Sequence, residues 1–253
     1  MLTALSTEMI FHFMLILTRI GGVFSFVPAI GELYFPVRVR LILALTTCLV
    51  MYPLLAGSFG AEPKLMSEIA GMIFLEFLIG VLIGLSAKIY FLALDVVGNI
   101  ISMNAGLSAA NFFNPNMRTQ QPVLSILLSL IATASIFATS AHHYYFLGIM
   151  ESYNKFPVGY MLITGDLSNY MARVVADSFL LAFKIASPFI VVNLALQAGA
   201  GILARLMPSL QIFFIILPAQ IITMFCVLMV VMPFISKKMS SILIQNLQIL
   251  LAF

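Results

Sequence analysis

The sequence predicts an all-α integral membrane protein of about six long apolar helices arranged as hairpins, and three observations carry that expectation. Of its 253 residues, 62% are hydrophobic and 8% charged, where a soluble globular domain has roughly 45–50% apolar and about 25% charged residues. A soluble fold of this length would still need a polar surface, and the charges to build one are missing. The apolar residues also gather into runs of the ~20 residues that a helix needs to cross a bilayer core. Finally, the 12 Lys and Arg and the 9 Asp and Glu, net charge +3, are scattered singly, so no basic face points to nucleic acid.

Met9 to Ile30 forms the first run, interrupted by His12, Thr18, Arg19 and a Gly pair. No basic segment precedes it, so the expectation is a retained helix rather than a cleaved signal peptide. Pro36 suits a helix start and opens the run Val39 to Ala56; Ser58 to Ser67 reads as a polar connection. Ile69 to Leu94 is apolar apart from Glu76 and Lys88, and Leu94 to Gly106 either continues it or forms a short helix of its own. Pro122 opens Val123 to Met150, which turns polar near Ser140 to Tyr145. Glu151 to Tyr170, with Pro157, Gly159, Gly165 and Asp166, reads as a loop. Val174 to Leu203 and Ile212 to Ile235, separated by Ala204 to Gln211, complete the set. The 151–170 loop divides a larger N-terminal part, 1–160, from a C-terminal hairpin, 161–253. With alternating spans, Arg38, Arg40, Arg118 and Arg205 share one side, which the positive-inside rule assigns to the cytoplasm; Lys237 and Lys238 fall on the other.

A helix that is apolar all round has no moment to read, so its polar exceptions carry the information. His142 and His143 are adjacent, hence about 100° apart on a helix, and do not converge on a metal as an i, i+4 pair would. They read as interfacial groups beside Tyr144 and Tyr145. The sequence has no GxSxG, HExxH or nucleotide-binding loop, so the expectation is a non-enzymatic chain without metal or cofactor. Cys48 and Cys226 lie inside apolar runs and read as small hydrophobes. Glu76, Gly80, Gly84 and Lys88 are spaced by four, a step that drifts only about 40° around a helix. The carboxylate and both glycines therefore share a face, and GxxxG lets another backbone approach. Glu76 is then either a buried anchor for helix packing or a proton or ion site. Farther on, Asn193 and Gln197 share a face suited to interhelical hydrogen bonds. Arg173 and Asp177 can pair along the helix, and Asp177 and Lys184 share a face without touching.

One stretch breaks the apolar pattern: GLSAANFFNPNMRTQQP, Gly106 to Pro122. Non-helical backbone cannot face lipid, because its amides and carbonyls would go unsatisfied. The stretch is a solvated loop, is buried in protein, or lines a watery cavity. Asn114 and Pro115 favour a turn. Leu107, Phe112, Phe113 and Met117 are apolar beside the single charge of Arg118, as a constriction that gates by dewetting would require. A plain connector and a gate both stay open on this pattern.

Several separated stretches together resemble one family, the FliR family of flagellar export-gate proteins, whose relatives serve in virulence-associated type III secretion. They run from Arg19 to Pro28 with Gly31, through PVRVRLILAL at Pro36 to Leu45, to Glu76, Gly80, Gly84, Asp95 and Gly98. GLS at Gly106 to Ser108, Pro115, His142 or His143, and FPVG at Phe156 to Gly159 follow. The most specific piece is SPFIVVNLALQAGAGILARLMPSLQIFFIILPAQI, Ser187 to Ile221, with Asn193, Gly201, Arg205, Pro208, Gln211 and Pro218 in place. Ile216 departs from the small residue that many members carry two before the equivalent proline. The end at Phe253 is read as excluding a fused FlhB-like extension.

The resemblance implies helices packed within a helical FliP-FliQ-FliR assembly, with FlhB and FlhA nearby, in the bacterial inner membrane at the flagellar basal body. The assembly would pass unfolded flagellar proteins without cofactor or catalysis. It further implies a FliP-like part at 1–160 and a FliQ-like hairpin at 161–253. The 106–122 segment becomes a plug loop, with Leu107, Phe112, Phe113, Asn114, Pro115, Met117 and Arg118 as its gate residues. Arg19, Glu76, Gly80, Gly84, Asn193, Gln197, Gly201, Arg205 and Pro208 become packing and assembly contacts. The competing expectation is an ion or small-solute transporter with its site at Glu76, Asp177 or Lys184. An intramembrane enzyme using His142 or His143 stands third.

Overall fold

A computed structural model describes residues 2–31, 35–55, 66–107, 122–159, 164–207 and 212–252, and the regular elements among them are helices. They are α1 (Leu2–Phe26), α2 (Val37–Leu55), α3 (Met66–Asn104), α4 (Val123–Ala138), α5 (His143–Lys155), α6 (Thr164–Leu206) and α7 (Ile212–Ala252). Five contain a stretch long and apolar enough to cross a membrane, and α4 with α5 counts as a sixth if taken as one span. The all-α membrane class expected from composition is therefore the class observed.

Both prolines expected to open helices do so. The Pro36 carbonyl accepts the Arg40 N–H at 3.2 Å, and the Pro122 carbonyl accepts the N–H groups of Ser125 and Ile126 at 2.9 and 3.3 Å. Proline fits there because its missing N–H is one that a helix start leaves unpaired anyway.

Elsewhere the helices outrun the sequence reading. Leu94 to Gly106 is not a separate helix; α3 runs unbroken to Asn104. Most of the expected 151–170 loop is helical, since α5 continues to Lys155 and α6 begins at Thr164. The breakers that act are Pro157 and Gly159, the latter at φ +81°. Gly165 and Asp166 fall in the first turn of α6, where backbone N–H groups have no intrahelical partner. Conversely, the run Val123 to Met150 is broken into α4 and α5, with Ser140 at φ +57° in the turn between them. Lys237 and Lys238, expected in a loop, lie inside α7. Cys48 is buried as expected, whereas Cys226 is exposed.

The chain forms two compact units, one of residues 1–89, 139–174 and 242–253, the other of residues 90–138 and 175–241. Each draws on both sides of residue 160, and α3, α6 and α7 contribute to both. In the first, Leu15, Ile16 and Ile20 of α1, Cys48 of α2, Ile83 of α3 and Ile149 of α5 are fully or almost fully buried. Phe24 and Phe146 meet edge to face at 6.2 Å, joining α1 to α5. In the second, Leu94 and Val97 of α3, Leu128 of α4, Phe189 of α6 and Met224 of α7 form the core. Outward faces remain apolar, with Phe183, Val191, Ile222 and Val230 exposed, as expected where the surroundings are lipid or other protein rather than water.

Candidate functional site

The first constellation grows from a close helix crossing in the first unit. A Cβ on Gly80 of α3 would overlap the carbonyl of Arg19 in α1, and one on Gly84 would lie 2.6 Å from the carbonyl of Val23. Gly22 reciprocates: a Cβ there would sit 2.9 Å from the Phe77 carbonyl. Small residues on both sides let the two backbones touch, and this closeness brings the adjacent Arg19 and Glu76 together.

Arg19 is fully buried and Glu76 is 1% exposed. The guanidinium grips the carboxylate with two bonds, Nε to Oε2 at 2.5 Å and Nη2 to Oε1 at 2.9 Å. Nη1 donates to Ser152 Oγ at 3.1 Å, and Nη2 also donates to the Phe156 carbonyl at 2.9 Å. The cation lies 3.7 Å from the centre of the Tyr153 ring. Only a guanidinium supplies this planar fork together with a stacking face. One side chain of α1 thus ties α3 to the C-terminal end of α5, where a cation also complements the helix dipole. Both Glu76 oxygens accept hydrogen bonds from Arg19, so the pair joins α1 to α3.

A second constellation lies in the other unit, at the end of α3. Gln220 Nε2 of α7 donates to the backbone carbonyl of Asn104 and to Asn193 Oδ1, the latter at 2.8 Å. Asn193 Nδ2 of α6 donates to Asn104 Oδ1 at 2.7 Å. Three amides therefore close a ring joining α3, α6 and α7. Nearby, Gly98 presses against the backbone of Ser125 in α4. Ser125 and Ser129 donate from their hydroxyls to the Asp95 carbonyl and Asp95 Oδ1, at 3.0 and 3.3 Å.

Of the residues singled out from the sequence, Arg19, Glu76, Gly80 and Gly84 come together, and Asn193 joins the amide ring. Gln197, one turn beyond Asn193, is exposed, as are Gly201 and Arg205. Arg173, Asp177 and Lys184 are exposed on α6. Leu107 is half-buried; Phe112, Phe113, Asn114, Pro115, Met117, Arg118 and Pro208 lie outside the described residues. The His142 and His143 rings lie 4.2 Å apart, tilted by 35°. Among the described residues, no group of three or more His, Cys, Asp or Glu side chains is placed to hold a metal ion. Sequence reading missed the Arg19–Glu76 pairing, and with it Ser152 and Tyr153. A signal existed, since each charge stands alone in an apolar run and a buried charge needs its opposite. Asn104 and Gln220 were missed as single amides with no partner evident in the sequence.

These features define a class: a multi-pass helical membrane protein whose buried polar side chains bind helix to helix. Within that class, the model for "Bacterial export proteins, family 1" matches residues 10–245, and the chain belongs to that family. It is 33% identical over 208 residues to the flagellar biosynthetic protein FliR of Caulobacter vibrioides, covering 82% of this chain and 83% of that protein. It is 26% identical to FliR of Bacillus subtilis over 95% of this chain and 94% of that protein. For FliR of Escherichia coli the values are 25% identity, 87% and 84%. Membership gives the chain a role in flagellar export, in a family of export proteins rather than enzymes.

Proposed function

We propose that the chain is a non-enzymatic subunit of the flagellar type III export gate in the bacterial inner membrane. There it packs with FliP and FliQ, near FlhB and FlhA, at the basal body, and helps form and plug the pore for unfolded flagellar proteins. One observation carries the reading: the long helices are incomplete alone. With 39, 43 and 41 residues, α3, α6 and α7 reach about 58–65 Å at ~1.5 Å per residue, twice the ~30 Å of a hydrocarbon core. Only 28% of the apolar stretch of α6 and 17% of that of α7 is buried within the chain. Meanwhile Asp177, Lys184 and Gln197 point outward, where exposure to lipid would be costly. Partner helices resolve both mismatches.

On this reading residues 1–160 act as the FliP-like part and 161–253 as the FliQ-like hairpin. The 106–122 segment is the plug, and its Phe and Met side chains close on water and ions yet repack around many passing sequences. The test has two arms. The tagged chain, extracted in mild detergent, should bring small helical membrane partners with it. In the recovered complex, replacing Phe112, Phe113 and Met117 with Gly should raise ion conductance several-fold in planar bilayers. Conductance unchanged by the triple substitution argues against the plug. Solute uptake by the chain alone in vesicles would replace the gate with a transporter.

A further inference from the structure

We infer that Asn104, Asn193 and Gln220 form an amide clamp that fixes the point where the chain leaves α3 for the 106–122 segment. The inference rests on the plug reading only for its functional consequence; the clamp itself stands on geometry.

A helix end leaves its last four carbonyls without intrahelical partners. At the end of α3 three of them are satisfied locally. The Ala105 N–H bonds to the Ile101 carbonyl at 2.8 Å, Leu107 to Ser102 at 3.0 Å, and Gly106 to Met103 at 3.2 Å. The last two bonds, with Gly106 at φ +72°, are the glycine-terminated stop that turns a chain sharply away from its helix. The fourth carbonyl, that of Asn104, has no backbone donor among the described residues, and Gln220 reaches across from α7 to donate to it. Leu217, one turn before Gln220, lies 3.9 Å from where a Cβ on Gly106 would stand. The turn is therefore seated on α7 as well as bonded to it.

The polarity of the ring is directional. Asn104 only accepts, through its backbone and side-chain oxygens; Gln220 only donates; Asn193 does both. Asn193 and Gln220 are 9% and 8% exposed, so their amides are largely screened from solvent and an unmatched one would be costly. The clamp sets where Leu107 sits, and through it where the following segment begins.

Donor and acceptor exchange tests this. Cys48 and Cys226 are replaced by Ala, Leu107→Cys supplies a reporter, and the rate of thiol modification is measured in the full chain within its recovered membrane complex. Asn104→Asp keeps every acceptor and should leave the rate within about twofold. Gln220→Glu adds the same charge but sets acceptor against acceptor, and should raise the rate about three- to twentyfold, the range implied by membrane-buried hydrogen bonds. Gln220→Leu removes both donors without adding charge, and serves if Gln220→Glu does not accumulate. The clamp is overturned if both Gln220 variants leave the rate unchanged, or if Asn104→Asp raises it as far as Gln220→Glu does. Ion conductance, recorded in parallel, separates the two ideas. A faster rate with unchanged conductance upholds the clamp and removes the plug; raised conductance with an unchanged rate removes the clamp and keeps the plug.

Discussion

Arg19 and Glu76 are two charges taken out of water into the middle of an apolar unit, and the cost of that transfer decides how each should respond to mutation. Their mutual attraction, two parallel hydrogen bonds and the additional partners Ser152, Phe156 and Tyr153 offset the desolvation. Removing one partner strands the other, and for a buried pair this typically costs about 3–5 kcal/mol. Glu76→Ala or Arg19→Ala should therefore sharply lower the thermal midpoint of the detergent-solubilised chain. Replacing both at once, Arg19→Met with Glu76→Leu, removes the stranded charge and should recover most of that loss. If the double variant is no more stable than either single one, the loss does not come from a stranded charge and that account fails.

Close packing makes a different prediction at the level of helices, because the glycines divide into two kinds. A side chain at Gly80 or Gly84 would strike the backbone of α1, whereas a Cβ at Gly199 or Gly201 meets nothing within 4 Å. Gly80→Leu should therefore reduce recovery of the folded chain itself. Gly201→Leu should leave the chain folded but lower what co-purifies with it, as detected by size-exclusion chromatography in detergent. Equal effects of the two on the isolated chain would refute the distinction. The sequence made Gly80 and Gly84 visible through their spacing with Glu76, because a period of four maps directly onto one helix face. It could not show which helix they would meet, since that depends on Arg19, Gly22 and Val23, more than fifty residues away. Helix ends were misjudged for a related reason. In an apolar chain the polar residues Glu151 to Lys155 look like a loop, yet nothing in them breaks a helix until Pro157. Likewise the sequence left open whether Leu94 to Gly106 continues α3, and it does, with Asp95 and Gly98 packed against Ser125 and Ser129 of α4. Composition set the class, and local spacing found half of each contact. The partner half lies across the fold, where no short-range pattern reaches.

At the scale of the whole molecule, the long helices and their outward polar groups make the chain's stability depend on what surrounds it. Anything that binds the folded chain and not the unfolded one adds apparent stability by mass action, about 2.7 kcal/mol when the partner stands at 100 times its dissociation constant. Asp177, Lys184, Gln197 and Arg205, all exposed on α6, are available for such binding, and the polar groups that detergent or lipid leaves unmatched would gain partners in a complex. Co-expression with the helical membrane proteins that co-purify should therefore raise both the recovered amount of the chain and its thermal midpoint. Reversing the charge at Asp177 or Lys184 should diminish that rise while leaving the midpoint of the chain alone nearly unchanged, because both side chains are exposed within it. A midpoint that does not respond to co-expression would mean that these faces meet lipid after all, and the case for a chain completed by its neighbours would fail with it.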